Sequence, residues 1–156
     1  LAEHGVTDAD AAARFAAHYL PRLKAMAESQ LGRTVAESAK YRELAFEIPA
    51  GRHRLRGVID LLFNDGGTWT VLDYKTDKIT SAQVAEADAG YIRQVELYAL
   101  AVMETLPGVE NVAVSMYYIE PGLRGKVHII DKTRAEKIRM DLEKKLHEIE
   151  ARLPGE

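Results

Sequence analysis

Two short turn sequences divide the middle of this chain into three consecutive extended segments, at about 42–48, 53–63 and 69–76. A Pro-Ala-Gly turn at 49–51 joins the first two segments, and an Asn-Asp-Gly-Gly turn at 64–67 joins the second and third. These residues favour tight turns because they preset or permit the backbone angles that turns need. The sequence therefore predicts two successive hairpins, which commit the centre of the fold to a β-sheet.

Helices and further strands are predicted on both sides of these hairpins. The apolar periodicity predicts helices over 7–31, 80–105 and 132–153, and strands over 111–120 and 126–130. This order of elements predicts an α/β fold with a central mixed sheet flanked by helices.

The first helix has a predicted cap, a predicted kink and a predicted end. We expect Thr7 to cap it, Pro21 to kink or divide it, and Gly32 to end it. Its apolar stripe predicts three core-facing side chains: Phe15, Tyr19 and Leu23.

Length and composition limit the classes of protein that the chain can belong to. Its 156 residues predict one domain over 1–156. The absence of cysteine excludes disulfides, a thiolate nucleophile and cysteine-ligated zinc or iron–sulfur sites, and it agrees with a reducing, cytoplasmic location. No apolar run approaches the ~20 residues of a membrane span, so no membrane partner is expected. The net charge is -3, so any nucleic-acid role requires a local basic patch, a metal or a partner.

The most informative residues are two aspartates in apolar strand sequences. Asp60 lies within Val-Ile-Asp-Leu-Leu, and Asp73 follows Thr-Val-Leu. Carboxylates are costly in a dry interior unless they are paired or bound to metal. A hairpin centred near Gly66 brings Asp60 and Asp73 within one register step, and Lys75 shares a strand face with Asp73. Two carboxylates and an amine are therefore predicted to converge.

This convergence predicts a divalent metal site. Neighbouring carboxylates raise each other's proton affinity unless a cation separates them, and Mg²⁺ accepts two carboxylates with water completing its shell. Lys75 beside such an ion could orient a water or stabilise charge that develops on a phosphate.

Glu43 and one helix face extend the predicted site. A hairpin centred near 50–51 places Glu43 opposite Val58 and diagonal to Asp60. The helix over 80–105 carries hydrogen-bonding side chains on one face: Tyr91, Gln94 and Tyr98.

Simpler interpretations of these residues stay open from the sequence. Asp-x-Lys on a strand is most often a surface salt bridge, and Asp60 could pair with Arg56 or Lys75. Glu43 could form a solvated pair with its neighbour Arg42, and the tyrosines could lie at the edge of the core.

In combination, four motifs in order resemble the RecB-type branch of the PD-(D/E)XK nuclease superfamily, and within it the nuclease domains of AddA-type helicase–nucleases of bacterial double-strand-break repair. The motifs are Tyr-Arg-Glu-Leu-Ala-Phe, Gly-Val-Ile-Asp-Leu-Leu-Phe, Asp-Tyr-Lys-Thr-Asp and Tyr-x-x-Gln-x-x-x-Tyr-Ala. They cover residues 41–101. The resemblance implies a restriction-endonuclease-like fold and the hydrolysis of DNA phosphodiester bonds, as an exonuclease or endonuclease, with Mg²⁺ or Mn²⁺ as cofactor.

The resemblance also implies a role for each matching residue. Asp60, Asp73 and the backbone carbonyl of Tyr74 would hold the metal, Lys75 would be the catalytic lysine, and Glu43 would support either of them. The DNA strand and the site would be contacted by the residues of the helix motif: Gln94, Tyr98 and Tyr91.

Two further expectations concern the context of the domain. The expected partners are DNA, as a single strand or strand ends, the helicase domain of a parent chain and a second helicase–nuclease subunit. Because Leu1 is not a methionine, we expect a fragment. The resemblance implies a metal-reaching histidine on a helix well upstream of Glu43; His18 lies only 25 residues before Glu43 without the family's usual surroundings, so we expect that helix to be missing. No phosphate-binding Gly-x-x-x-x-Gly-Lys loop is present, so the ATP-driven motor is not in this sequence. A catalytically idle DNA-binding domain of the same fold and a stand-alone nuclease are the alternatives.

Overall fold

The computed structural model describes residues 9–152, which form one mixed β-sheet with helices on both faces. The elements run along the chain as follows: α1 Ala9–Glu28, α2 Gln30–Glu37, β1 Lys40–Ala50, β2 His53–Asp65, β3 Thr68–Lys75, a 3₁₀ turn Ser81–Gln83, α3 Val84–Thr105, β4 Asn111–Tyr118, β5 Leu123–Arg124, β6 His128–Asp131 and α4 Lys132–Glu150. The predicted fold class is confirmed. The predicted cap at Thr7 and the last predicted helical residue, Leu153, lie outside the described residues.

The sheet is built from two hairpins and one parallel crossover. The strand order is β1-β2-β3-β4-β5, and β6 pairs with the other half of β4. β1, β2 and β3 are successively antiparallel, whereas β3 and β4 are parallel and joined through α3. The crossover places α3 directly over the C-terminal end of β3.

Turn chemistry explains why the second hairpin forms where the sequence predicts it. Gly66 and Gly67 both have positive φ, at 57° and 96°, a conformation that costs glycine little. Asn64 Oδ1 also accepts a hydrogen bond from the Gly67 amide at 2.9 Å.

Two apolar clusters hold the helices against opposite faces of the sheet. The larger cluster joins the sheet to α3 and α4, with buried residues such as Val71, Val95 and Ile138. The smaller cluster joins the other face to α1 and α2 through Met26 and Val35. The layered arrangement therefore covers both faces of the sheet.

The N-terminal helices differ from the sequence prediction in where they divide. α1 continues through Pro21, and the break lies at Ser29, whose side chain caps α2 by accepting a hydrogen bond from the Gly32 amide at 3.1 Å. Gly32 does not end a helix. It lies inside α2, where a Cβ would stand 2.3 Å from the carbonyl oxygens of Met26 and Ala27.

The predicted core stripe of α1 is wrong at two of its three positions. Tyr19 packs against the smaller cluster, but Phe15 and Leu23 are 61% and 42% exposed. The residues of α1 that belong to or pack against this cluster are Met26 and Tyr19. Periodicity identifies residues that share a helix face, but it does not fix how much of that face a partner covers.

No helix within residues 9–152 combines the length and apolar character needed to cross a lipid bilayer.

Candidate active site

The centre of the site is an ion pair at the end of β3. Lys75 Nζ lies 2.6 Å from Asp73 Oδ2, and the two side chains are only 12% and 4% exposed. The residues are two apart on one strand, so their side chains share the face that α3 covers. This burial excludes the simpler interpretation of Asp-x-Lys as a surface salt bridge.

α3 surrounds the lysine with the side chains of the predicted helix face. Lys75 Nζ donates a hydrogen bond to Gln94 Oε1 at 2.7 Å, and Gln94 Nε2 donates to the Tyr98 hydroxyl at 2.7 Å. The same ammonium lies 4.0 Å from the centre of the Tyr91 ring. The helix spacing therefore brings all three side chains to one group.

Asp60 approaches from β2, where the ladder between β2 and β3 ends. The last pair is Leu61 with Leu72, and continuing this register by one residue places Asp60 opposite Asp73. Instead of a backbone pair, Asp60 Oδ2 accepts a hydrogen bond from the Tyr74 amide at 2.9 Å. Arg56 pairs with Glu47, so it is not the partner of Asp60.

Glu43 is closer to Asp60 than the sequence indicates. Arg42 pairs with Leu61 and Leu44 with Ile59, so Glu43 lies opposite Asp60. The predicted partner, Val58, pairs with Ala45 instead. The predicted register is wrong by two residues because the turn consists of Gly51 and Arg52, flanked by the pair Ala50 and His53.

Both β1 and β2 depart from regular strand geometry where Glu43 and Asp60 lie opposite each other. Glu43 has φ +50°, a left-handed conformation that is uncommon for any residue except glycine. On β2, Ile59 and Leu62 belong to the larger cluster, whereas Leu61 belongs to the smaller one. The strict alternation of faces is therefore interrupted at Asp60, between Ile59 and Leu61.

A cavity of about 430 Å³ lies at this interruption. Glu43 and Asp60 line it together with three other residues: Arg42, Leu61 and Tyr74. The cavity brings one basic side chain together with two acidic ones, and neither Asp73 nor Lys75 is among the residues that line it.

Electrostatics at Asp73 favour a bound cation. Burial, the largest effect, raises the pKa of Asp73, the neighbouring Lys75 lowers it, and the negative charge of Asp60 raises it further. Lys75 is near enough for an ion pair, yet Asp73 Oδ2 is buried and receives no well-aligned hydrogen bond. An acceptor in this state is suited to ligate a metal.

The donor set fits a hard divalent ion with an incomplete protein shell. Oxygen ligands suit Mg²⁺ and Mn²⁺, and Mg²⁺ commonly keeps several waters beside one or two carboxylates. Among the residues that the structure describes, no three His, Asp or Glu side chains converge into a full metal cage. An ion here would accordingly rest on Asp60 and Asp73, with water completing its coordination.

Two residues near the site were not singled out from the sequence. Asp77 accepts a hydrogen bond from the Tyr91 hydroxyl at 2.9 Å, although it belongs to the quoted Asp-Tyr-Lys-Thr-Asp motif. Arg42 lines the cavity, and only its position next to Glu43 could have indicated this. His18, in contrast, bonds Glu120 at 2.6 Å on the exposed side of α1.

Comparisons with known proteins place this geometry in a family. The chain is 39% identical over 69 residues to an ATP-dependent helicase/nuclease subunit of Pelotomaculum thermopropionicum (strain DSM 13744 / JCM 10971 / SI), a match that covers 44% of this chain and 5% of that protein. A crystal structure of SSO0001 superposes with a TM-score of 0.44 and 16% identity, over 89% of this chain and 61% of that one. The family model of the PD-(D/E)XK nuclease superfamily matches residues 1–154. Since that match extends over nearly its whole length, the chain belongs to the PD-(D/E)XK nuclease superfamily.

Proposed function

We propose that this chain is a metal-dependent DNA nuclease domain that hydrolyses phosphodiester bonds. The observation that carries the proposal is the buried Asp73–Lys75 pair, next to a second carboxylate from Asp60. An idle domain would have no need to bury these charges, because replacing a whole buried ion pair by well-packed apolar residues is often neutral or stabilising. Perturbed buried carboxylates in a cleft are typical of catalytic sites.

In this proposal Asp60, Asp73 and the carbonyl oxygen of Tyr74 hold Mg²⁺, for which Mn²⁺ substitutes. When bound, the ion supplies Lewis-acid stabilisation of the phosphate and lowers the pKa of coordinated water. Glu43, which lines the cavity together with Asp60, supports the ion or the lysine.

Lys75 is the proposed catalytic residue of this site. Its ammonium stabilises negative charge that develops on the phosphate, and it can orient the attacking water. Gln94 fixes the ammonium through its carbonyl oxygen, and Tyr98 fixes the Gln94 amide. A hydrogen-bonded chain from α3 thus holds the lysine in place before DNA arrives. Gln94 and Tyr98 are also the proposed contacts to the DNA strand.

The proposed substrate is a single DNA strand or a strand end. The net charge of -3 supports delivery by a partner, since charge alone would not hold DNA. We propose that the chain works as one nuclease domain of a larger helicase–nuclease in DNA double-strand-break repair in the cytoplasm, together with a second subunit. The partial similarity to a helicase/nuclease protein supports this context.

Isosteric removal of the Asp73 charge tests the chemistry. We expect Asp73→Asn and Lys75→Gln each to reduce cleavage of a single-stranded oligonucleotide by about 100-fold or more, since the site contributes several kcal/mol to the transition state. Asp65→Asn on the exposed second hairpin turn is the matched control and should cleave normally. Near-normal cleavage by Asp73→Asn, with contaminating nuclease excluded, would show that the assignment is wrong.

Metal titration separates a nuclease from an idle DNA-binding domain. Calorimetry should detect Mg²⁺ or Mn²⁺ binding to the wild-type chain and a clear loss of binding in Asp73→Ala. No specific binding by the wild-type chain would favour the idle domain, and equal binding by both proteins would show that the ion is not held by Asp73.

A further inference from the structure

Tyr91 occupies a position that the proposed chemistry does not yet use. The face of its ring lies 4.0 Å from Lys75 Nζ, and its hydroxyl donates a hydrogen bond to Asp77 Oδ1 at 2.9 Å. The ring is half-buried on the first turns of α3. Tyr91 therefore contacts Lys75 with its face and Asp77 with its edge.

The ring completes an enclosure around the lysine ammonium. Three groups contact Nζ: the Asp73 carboxylate, the Gln94 side-chain carbonyl and the Tyr91 ring. Lysine has a flexible four-carbon stem, and several contacts are needed to hold its charge at one place. The negative face of an aromatic ring attracts a cation in this arrangement.

Asp77 fixes the orientation of the ring. It lies two residues after Lys75 in the irregular segment that leads from β3 to α3, so the hydrogen bond ties that segment to the helix. The bond is the largest of the effects that raise the pKa of the Tyr91 hydroxyl, which consequently remains a donor. Asp77, two residues after Lys75, therefore holds the Tyr91 ring, and the Tyr91 ring in turn contacts Lys75.

We propose that Tyr91 and Asp77 form a positioning pair that holds the Lys75 ammonium toward Asp73 and Gln94. The inference rests on the proposed function only in that it takes Lys75 as catalytic. In this proposal Tyr91 acts through Lys75. The contact with DNA that the family resemblance implies for Tyr91, by base stacking, is the competing account that the experiment distinguishes.

Four variants distinguish the effect of the Tyr91 ring from the effect of its hydrogen bond to Asp77. Tyr91→Leu removes the ring, whereas Tyr91→Phe keeps the ring and removes the hydrogen bond. Asp77→Ala removes the acceptor, and Asp77→Asn restores one. Tyr41→Leu is the control for loss of an aromatic ring, because Tyr41 is exposed and packs on Trp69 away from the lysine.

The first measurement does not depend on catalysis. In lysine-labelled protein, the side-chain methylene signals of Lys75, assigned by their absence in Lys75→Arg, should be shifted upfield by the ring. We expect the shift to disappear in Tyr91→Leu, to shrink in Tyr91→Phe and Asp77→Ala, and to return in Asp77→Asn. Tyr91→Phe and Asp77→Asn are nearly isosteric, so they test the pair even if Tyr91→Leu does not fold.

The second measurement separates positioning from DNA binding. We expect Tyr91→Leu to lower kcat by about 2- to 30-fold, the range of a cation–π contact, with KM and the DNA dissociation constant unchanged. A stacking role would instead raise the dissociation constant by about 5- to 150-fold with kcat preserved.

Several outcomes would overturn the inference. In the first measurement, these are a wild-type Lys75 signal without an upfield shift, or a shift that persists in Tyr91→Leu. In the second, it is weaker DNA binding by Tyr91→Leu with a normal kcat. If the wild-type chain cleaves no DNA, the proposed function fails, and the Lys75 signal still decides whether the pair holds the lysine.

Discussion

Asp73 and Lys75 are two residues apart on β3 and form an ion pair of 2.6 Å that is almost entirely shielded from water. Transferring two charges out of water has a large desolvation cost, which mutual attraction only partly offsets. Gln94 offsets part of this cost by accepting a hydrogen bond from Lys75, whereas the negative charge of Asp60 adds to the cost of keeping Asp73 ionised.

The first prediction concerns the stability of this pair. Lys75→Met leaves Asp73 buried beside Asp60 without a cation, and we expect a loss of about 3–5 kcal/mol in the free energy of unfolding. Asp73→Asn combined with Lys75→Met removes the stranded charge and should recover most of that loss. Urea denaturation of the two single variants and the double variant measures the coupling. Additive effects would show that the two side chains do not interact.

The second prediction concerns metal and charge repulsion. Mg²⁺ should stabilise the wild-type chain by mass action, by about 2.7 kcal/mol at 100 times its Kd. Asp60→Asn should be at least as stable as the wild type without metal, since the amide oxygen can still accept from Tyr74 and one repelling charge is gone. The same variant should lose its response to Mg²⁺ in thermal melts. A marked loss of metal-free stability would instead identify Asp60 as a structural ion-pair partner.

The third prediction compares two glycines: Gly125, where a Cβ would meet close neighbours, and Gly90, where a Cβ would meet none. A Cβ at Gly125 would stand 2.2 Å from Asp88 Oδ1, whose carboxylate accepts hydrogen bonds from the Tyr118 hydroxyl and the Lys126 amide. Gly125→Ala should therefore destabilise the fold by about 1–3 kcal/mol. Gly90→Ala adds a Cβ in open space on α3 and should stabilise by about 0.5–1 kcal/mol. Thermal melts compare the two, and equal effects would contradict the packing described.

The fourth prediction concerns pH. Hydrogen bonds from His53, and then from Arg52, lower the pKa of Glu150 below its usual 4.5. Because this pKa is depressed in the folded state, its stabilising contribution is present above pH 4.5 and is lost as pH falls through the folded value. Glu150→Gln should thus be less stable than the wild type at pH 7, and the difference should narrow below pH 4.5. Glu148→Gln makes the same charge change on α4 but leaves the hydrogen bonds of Glu150 with His53 and Arg52 in place, so it is the matched control.

The fifth prediction concerns DNA binding by the isolated chain. We expect weak, strongly salt-dependent binding with a Kd of about 10⁻⁴–10⁻⁶ M. Arg42→Gln should weaken binding and reduce the salt slope by about 1, since Arg42 lines the cavity beside Asp60. Arg54→Gln should have little effect, because Arg54 pairs with Glu47. Fluorescence anisotropy at several salt concentrations measures both, and nanomolar binding at physiological salt would contradict delivery by a partner.

The sequence predicted the strands and the lysine–aspartate pair because short-range rules govern both. The turn residues located the ends of the strands to within a few positions. The two-residue period of a strand placed Asp73 and Lys75 on one face. The helical repeat likewise brought Gln94 and Tyr98 together. Each of these relationships depends on residues close in the chain.

The sequence did not predict relationships that depend on longer-range packing. The partner of Glu43 was missed because a two-residue turn of Gly51 and Arg52 replaced the expected one centred near 50–51. The exposure of Phe15 followed from how little of α1 the sheet covers. The interruption at Asp60 involves a backbone angle at Glu43 that no local pattern encodes.

The change of faces at Asp60 also bears on how this domain can vary. Before Asp60, the odd-numbered residue Ile59 of β2 packs into the larger apolar cluster. After Asp60, the even-numbered residue Leu62 packs into the same cluster. A one-residue insertion or slip in β2 would expose apolar side chains and at the same time move the carboxylate away from Asp73. The packing of β2 and the proposed site thus require the same alignment of β1 and β2, so a length change in β2 that disrupts the proposed site should also destabilise the fold.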